Sequence, residues 1–251
     1  MGLRTAMIVA GLTAAGVALP GTAHAIRPFI TDDAHVVGKG HVQLETWWRR
    51  DAKSLQHWIL PAVGPTDWLE VTLGGVYGLS GLGDSGAPSF AFGGPVAQGK
   101  FLLHESVPNK PPGFAIVVGG ITPAGRGGFE SPGFSGFSYL AVTQAFIKED
   151  DFLIHANVGV STLAAAGYAP AKLTWGIGTQ VETVYDIHLI GELFSGDPYV
   201  QGASGACQAG IRVIFNEHLQ LDATMGGGLF GDALLPVWVS SGLRVVSHEL
   251  F

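Results

Sequence analysis

A transmembrane antiparallel β-barrel, up-and-down in topology and about twelve strands round, is the fold class this sequence predicts. Three observations carry it. Apolar and polar side chains alternate with a period of two from about residue 41 to the C-terminus, with hardly a helical stretch between, and successive side chains of a strand point to opposite faces. Glycine is abundant (38 residues), only 13% of the chain is charged and mean hydropathy is positive; a barrel needs that balance, because its outer face must be apolar while its lumen stays polar. The connections alternate between tight turns near residues 65, 149, 184 and 217 and longer loops near 84, 129, 167, 199 and 232, as outer-membrane barrels alternate periplasmic turns with external loops. The short link at 51–54 breaks that alternation. A length of 251 residues fits one β domain.

Residues 1–25 read as a secretory signal peptide. Arg4 gives a positive start, Ala6 to Leu19 an apolar run, and Ala23-His24-Ala25 a small-x-small cleavage site. The mature chain then begins near Ile26, and 26–40 reads as an N-terminal periplasmic arm or a segment tucked into the barrel mouth. Its adjacent carboxylates Asp32 and Asp33 lack the further oxygen ligands of a Ca²⁺ site, so they read as a solvated turn. Residues 41–251 form the barrel. The expected destination is the bacterial outer membrane of a Gram-negative cell, with outer-membrane lipid and the barrel assembly machinery as partners.

The first strand, about 41–50, puts Val42, Leu44 and Trp48 outward and Gln43, Glu45 and Arg49 inward. The second, about 55–62, is apolar on both parities, and Pro61 demotes it to an edge or an end. In the third, Leu69, Val71, Leu73 and Tyr77 oppose Glu70 and Thr72. In the fourth, about 92–104, Phe101 and Leu103 oppose Lys100 and His104. The fifth, 114–122, is apolar on both faces and its inward side is undecided; a Gly-rich loop with Pro123 and Pro132 follows.

After a strand at 139–146, Phe152, Ile154, Ala156, Val158 and Val160 face out, with His155, Asn157 and Ser161 inward. Leu173, Trp175, Ile177 and Val181 then oppose Thr174, Gln180 and Glu182, and Ile187, Leu189 and Leu193 oppose His188 and Glu192. The clearest hairpin is 207–225. Cys207, Ala209, Ile211, Val213 and Phe215 face away from Gln208, Gly210 and Arg212, and beyond the turn Leu219, Leu221, Ala223 and Met225 oppose Gln220, Asp222 and Thr224. The last strand sets Val239, Leu243 and Val245 against Ser240 and Arg244. The terminal Phe251 is part of a β-signal or of a short tail after Val246. Trp48, Trp68, Tyr77, Trp175 and Phe215 fit interfacial girdles.

The inward charge is the functional signal. Candidate pore-lining residues are Glu45, Glu70, His155, Asn157, Glu182, His188, Glu192, Arg212, Asp222 and Arg244. Charges in a low-dielectric surround must pair or meet water, so they either line a narrow polar pore or form a salt-bridged plug. Twelve strands lie between barrels filled by side chains and barrels with an open channel.

No catalytic residues, metal or other cofactor are expected. The histidines lack ligand-pair spacing, and the one cysteine offers no disulfide. His155, Asn157 and Ser161 share a parity, but at about 6.6 Å per two residues His155 and Ser161 are too far apart for a triad. A net charge of −7 without a basic patch argues against a nucleic-acid role.

Several motifs in order resemble a known family: Arg27-Pro28-Phe29-Ile30-Thr31-Asp32-Asp33-Ala34, Gly64-Pro65-Thr66-Asp67-Trp68-Leu69-Glu70-Val71, Ile190-Gly191-Glu192-Leu193-Phe194, and Gly210-Ile211-Arg212 through Leu219-Gln220-Leu221-Asp222. The chain is similar, over most of its mature length, to the outer-membrane transporter-like proteins grouped with the phenol-degradation meta-pathway family. That resemblance implies a barrel that passes small molecules, often aromatic or hydrophobic, across the outer membrane. It supplies no catalytic residues, and it makes Glu70, Glu192, Arg212 and Asp222 the lumen candidates by position. The expected function is a passive channel or transporter for a small-molecule solute. The competing expectation is a structural or adhesive barrel with a filled lumen and binding external loops.

Overall fold

The computed structural model describes residues 29–147, 151–162, 171–184, 186–196, 204–231 and 234–251. The signal peptide expected at 1–25, and most of the loops expected at 164–171 and 195–203, lie outside the described residues. The strands are β1 (Val42–Asp51), β2 (Ser54–Thr66), β3 (Leu69–Ser80), β4 (Ser89–His104), β5 (Gly113–Ile121), the two-residue β6 (Gly125–Arg126), β7 (Ser135–Ala145), β8 (Phe152–Thr162), β9 (Ala171–Val184), β10 (Ile187–Ser195), β11 (Gly205–Asn216), β12 (Leu219–Phe230) and β13 (Trp238–Val246). Apart from β6, each strand pairs antiparallel with two neighbours. The ladder runs β3-β2-β1-β13 and on down to β4, and a further β3–β4 pairing closes it. The result is a closed antiparallel barrel of twelve long strands, without the exposed edges an open sheet presents.

Alternation does the sorting between faces. Leu73, Val158, Leu173, Leu189, Met225 and Val239 are exposed on the outside, as are Trp48, Trp68, Tyr77, Trp175 and Phe215. Gln43, Glu45, Glu70, Lys100, Gln180, Glu192, Arg212 and Arg244 are buried inside. Such an inside-out distribution is costly in water, where apolar area is disfavoured, and is stable in hydrocarbon.

Three local findings differ from the sequence reading or complete it. β2 does not end at Pro61 but runs to Thr66, with Pro61 opposite Leu44 of β1. On its other side the ladder to β3 passes from Ile59–Gly75 to Ala62–Thr72 and skips residues 60 and 61, so the missing proline N–H falls in a gap. The inward side of β5 is Ala115 and Val117, both fully buried, with Ile116 and Val118 outside. Finally, β13 stops at Val246 and the last five residues form a tail, as the second of the two expectations for Phe251 had it. Ser247 N–H donates to Val42 O (2.8 Å) and Leu250 N–H to Gly40 O (2.8 Å), tying the tail to the base of the arm.

Candidate functional site: the lumen and the arm bound inside it

The segment before β1 enters the barrel. Gly40 N–H donates to Gly64 O at 2.9 Å, which fixes the arm's base at the end of the barrel that carries the tight turns. From there inward Val37, His35, Ala34, Asp33, Asp32, Thr31 and Phe29 are all buried. Asp32 and Asp33, expected in a solvated turn, are each 2% exposed. The arm has no period-two pattern because its backbone partners are wall side chains rather than a neighbouring strand. Buried backbone N–H groups must be paired, and here the wall supplies the acceptors one by one.

Glu70, the second residue of β3, accepts Val37 N–H at 2.8 Å. Thr143 Oγ1 on β7 accepts Ala34 N–H at 2.9 Å and shares a 3.0 Å hydrogen bond with His155 Nδ1 on β8. Asn157, its amide oriented by the network, accepts Asp32 N–H at 2.7 Å and donates to Asp32 O at 2.8 Å, as a strand partner would. Glu192 on β10 accepts two consecutive N–H groups, Ile30 at 2.7 Å and Thr31 at 2.8 Å, and also Gln208 Nε2 at 2.6 Å. Within the arm, Asp32 Oδ1 accepts Asp33 N–H (2.8 Å) and Asp33 Oδ1 accepts His35 N–H (3.1 Å). These short side-chain turns hold the chain bent.

A wall cation meets the arm's carboxylates. Lys100 Nζ, fully buried on β4, lies 2.6 Å from Asp32 Oδ1 and 3.3 Å from Asp33 Oδ1, and Tyr139 OH donates to Asp32 Oδ2 at 2.8 Å. Burial pushes the Asp32 carboxyl above the usual carboxylate range, and the adjacent ammonium pulls it back only in part. Beyond Asp32, the Phe29 ring lies 5.1 Å from His155 and 5.7 Å below the Arg212 guanidinium. Two wall glycines make room. A Cβ at Gly176 would overlap Thr31 Oγ1, and one at Gly178 would stand 3.0 Å from the Phe29 ring.

Inward charges also meet one another within the wall. Arg244 Nε donates to Gln43 Oε1 at 2.8 Å and lies 3.9 Å from Glu45 across the β1–β13 ladder. Arg212 donates to Gln180 and sits opposite both Asp222 on β12 and His188 on β10. Arg49 stacks 4.3 Å from the Trp238 ring.

Of the ten candidates, Glu70, His155, Asn157, Glu192 and Arg212 thus surround the arm, and Glu45, Arg244, Asp222 and His188 belong to the inner wall. Glu182 has inward parity and is the third residue from the end of β9, partly buried at the rim, where its N–H donates to Asp151 O at 2.7 Å. Lys100, Tyr139, Thr143 and Gln208 were absent from the candidate set. Lys100 was visible as a cation on the inward parity of β4; the other three are neutral side chains with no charge to draw attention.

This is the architecture of an outer-membrane-type β-barrel with a segment of its own chain lodged in the lumen. A family model described as "Uncharacterised conserved protein UCP029691" matches residues 14–246, and the chain belongs to that family. No curated protein matches the sequence. Among solved structures, the COG4313 outer membrane channel from Pseudomonas putida F1 is similar in fold, with a TM-score of 0.60 at 9% identity over 86% of this chain and 98% of that one. The KdgM porin in complex with disordered oligogalacturonate has a TM-score of 0.57 at 9% identity, covering 82% of this chain and 99% of its own. At such identities the likeness is one of fold.

Proposed function

We propose that the protein is an outer-membrane channel passing small molecules, aromatic or hydrophobic ones among them, by passive diffusion, with the arm as the constriction of its lumen. The observation that carries this is a closed twelve-stranded barrel that is apolar outside and polar inside, the pattern by which strands cross a bilayer while surrounding a hydrated path. The porin and channel folds it is similar to support the same reading, and so does the resemblance to the phenol-degradation group. In this reading the signal peptide is removed after export, the tight turns and both termini face the periplasm, and the arm enters from that side. No catalytic step is assigned. Purified protein in liposomes should admit small neutral aromatics and exclude larger sugars; equal permeability of protein-containing and protein-free vesicles to both would overturn the proposal.

A second reading has its own support. The arm is held by hydrogen bonds and ion pairs to Glu70, Lys100 and Glu192 and to Tyr139, Thr143 and Asn157, which suits a filled barrel whose role is structural or adhesive, exercised through its external loops. An absence of conductance both with and without the arm would favour it.

A further inference from the structure

The outward face departs from its apolar pattern at one place. Among the described residues, Arg50 is the only Asp, Glu, Lys or Arg of outward parity in the twelve long strands. Its register neighbours are Leu55 on β2 and Val239 on β13, so a guanidinium stands in an apolar belt one residue from the end of β1. A charge on the lipid face is costly at mid-depth and tolerated close to the interface. Arg50 therefore belongs at head-group level, at the barrel end opposite the arm's base.

The β1–β2 link leaves this charge unneutralised. Asp51 Oδ1 accepts the N–H groups of Lys53 and Ser54, and its Oδ2 the Ser54 hydroxyl, all at 2.7 Å, so that carboxylate is turned into the hairpin. Arg50 Nη1 reaches across the link, donating to Asp51 O and, at 3.2 Å, to Ser54 O. Its Nε and Nη2 meet no acceptor among the described residues, and no described carboxylate lies within ion-pair distance of Arg50 or of the exposed Lys53.

Trp48 lies below Arg50 on the same face, about 6.6 Å down the strand, in register with His57 and, beyond it, Tyr77. Trp48 stacks on His57 with centroids 4.1 Å apart and planes 8° from parallel, and Tyr77 meets both rings edge-on. A chain of hydrogen bonds fixes the row. The Thr46 hydroxyl donates to Trp58 O at 2.9 Å, so its oxygen accepts from His57 Nε2 at 2.7 Å; Nδ1 of the neutral ring then accepts the Tyr77 hydroxyl at 2.6 Å. With its proton committed, the Tyr77 oxygen is an acceptor, and Trp48 keeps 44% of its surface exposed. Read from the strand ends inward, the face presents two cations, then an aromatic surface with one acceptor, then the exposed aliphatic side chains of Leu44 and Leu73.

From this order we infer that the outer face of β1–β3 holds a phosphorylated glycolipid of the outer leaflet. Its phosphate meets Arg50 and Lys53, a sugar hydroxyl donates to the Tyr77 oxygen beside Trp48, and its acyl chains lie along Leu44 and Leu73. The free edge of a guanidinium matches a phosphate in geometry as well as charge. A second copy of the barrel suits the patch less well, since no described outward strand position supplies an Asp or Glu to meet Arg50. The inference rests on the membrane-spanning reading with the long loops outside, and it holds whether the lumen conducts or is filled.

The test uses the full mature chain refolded in detergent and titrated, by native mass spectrometry, with diphosphorylated lipid A, with the same glycolipid stripped of its phosphates, and with phosphatidylglycerol. Saturable retention of lipid A is expected, with the other two lipids bound at least about tenfold more weakly. Arg50→Gln should weaken lipid A binding at least about tenfold and Tyr77→Phe about threefold. Lys110→Gln, which removes an exposed cation from the turn at the other end of the barrel, should leave it unchanged. Heat-modifiable migration of each variant establishes that its barrel is folded. Equal retention of phosphatidylglycerol, an equal loss of binding in Lys110→Gln, or displacement of lipid A by inorganic phosphate but not by sodium chloride of the same ionic strength would each overturn the proposal. Absence of lipid A binding to a barrel that conducts would overturn the site alone; lipid A binding of the expected pattern to a barrel that is silent with and without its arm would overturn the channel reading alone.

Discussion

Replacing Lys100 by Met would remove the wall cation that meets Asp32 and Asp33 while keeping most of its volume. The lysine is fully buried, with its Nζ 2.6 Å and 3.3 Å from the two carboxylates. Removing one partner of a buried ion pair costs about 3–5 kcal/mol, because the other charge is left uncompensated. Asp32 would keep Tyr139 at 2.8 Å and its backbone pairing with Asn157, which favours the lower end of that range. A cost of about 3 kcal/mol shifts the ratio of docked to released arm by roughly 150-fold.

Two assays read the shift. Amide hydrogen exchange at Asp33, Ala34 and Val37 should accelerate by about that factor relative to strand amides, and conductance across a planar bilayer should rise. A compensating variant guards against misfolding. Lys100→Met combined with Asp32→Asn and Asp33→Asn removes both sides of the ion pair and should restore part of the protection, buried Glu70 being the acid nearby that still loses the lysine's charge. Unchanged exchange at these amides in folded Lys100→Met protein would refute the role given to the ion pair.

Three further outcomes are expected. Glu192→Ala orphans the N–H groups of Ile30 and Thr31, each hydrogen bond to a charge being worth about 1.5–3 kcal/mol; their exchange should quicken at least about tenfold with Val37 little affected, and uniform exchange along the arm would contradict local anchoring. Gly176→Val places a side chain where Thr31 Oγ1 lies without altering any charge, so conductance should rise while the barrel keeps its detergent-resistant migration; an unaltered conductance would show that the arm tolerates the clash. Arg212→Ala and Glu192→Ala should move ion selectivity in opposite directions, toward cations and toward anions respectively, as measured by reversal potential in a salt gradient, and parallel shifts would remove these residues from the permeation path.

How far the sequence carries can be judged residue by residue. Alternation located the strands because the two faces of this barrel meet opposite solvents, and the pattern is clearest in the 207–225 hairpin. It fell silent where both faces are apolar. In β5, Ala115 and Val117 face the lumen yet pack in the same buried cluster as Ala34, so the arm supplies an apolar surface that periodicity cannot register. Pro61 misled because a proline weakens a ladder only where an N–H is required, and the β2–β3 ladder skips that point.

The inward charges were largely visible by parity, but their purpose was not. Glu70 and Glu192 serve backbone N–H groups 33 and 161 or 162 positions away, and no local pattern encodes such a pairing. The same holds for Asp32 and Asp33, which read as solvated until Lys100 is brought to them. Glu182, near the end of β9, shows the limit of parity, which says which face a residue takes but not whether it lies at mid-depth or at the rim.

The central claim is that this barrel is a channel whose lumen is narrowed by its own N-terminal arm. Single-channel conductance of the refolded mature chain, compared with a chain lacking residues 26–37, tests it most directly. The account predicts a small steady conductance that becomes several times larger, by an order-of-magnitude estimate, when the arm is removed. Two silent proteins, each with demonstrably folded barrels, would contradict it.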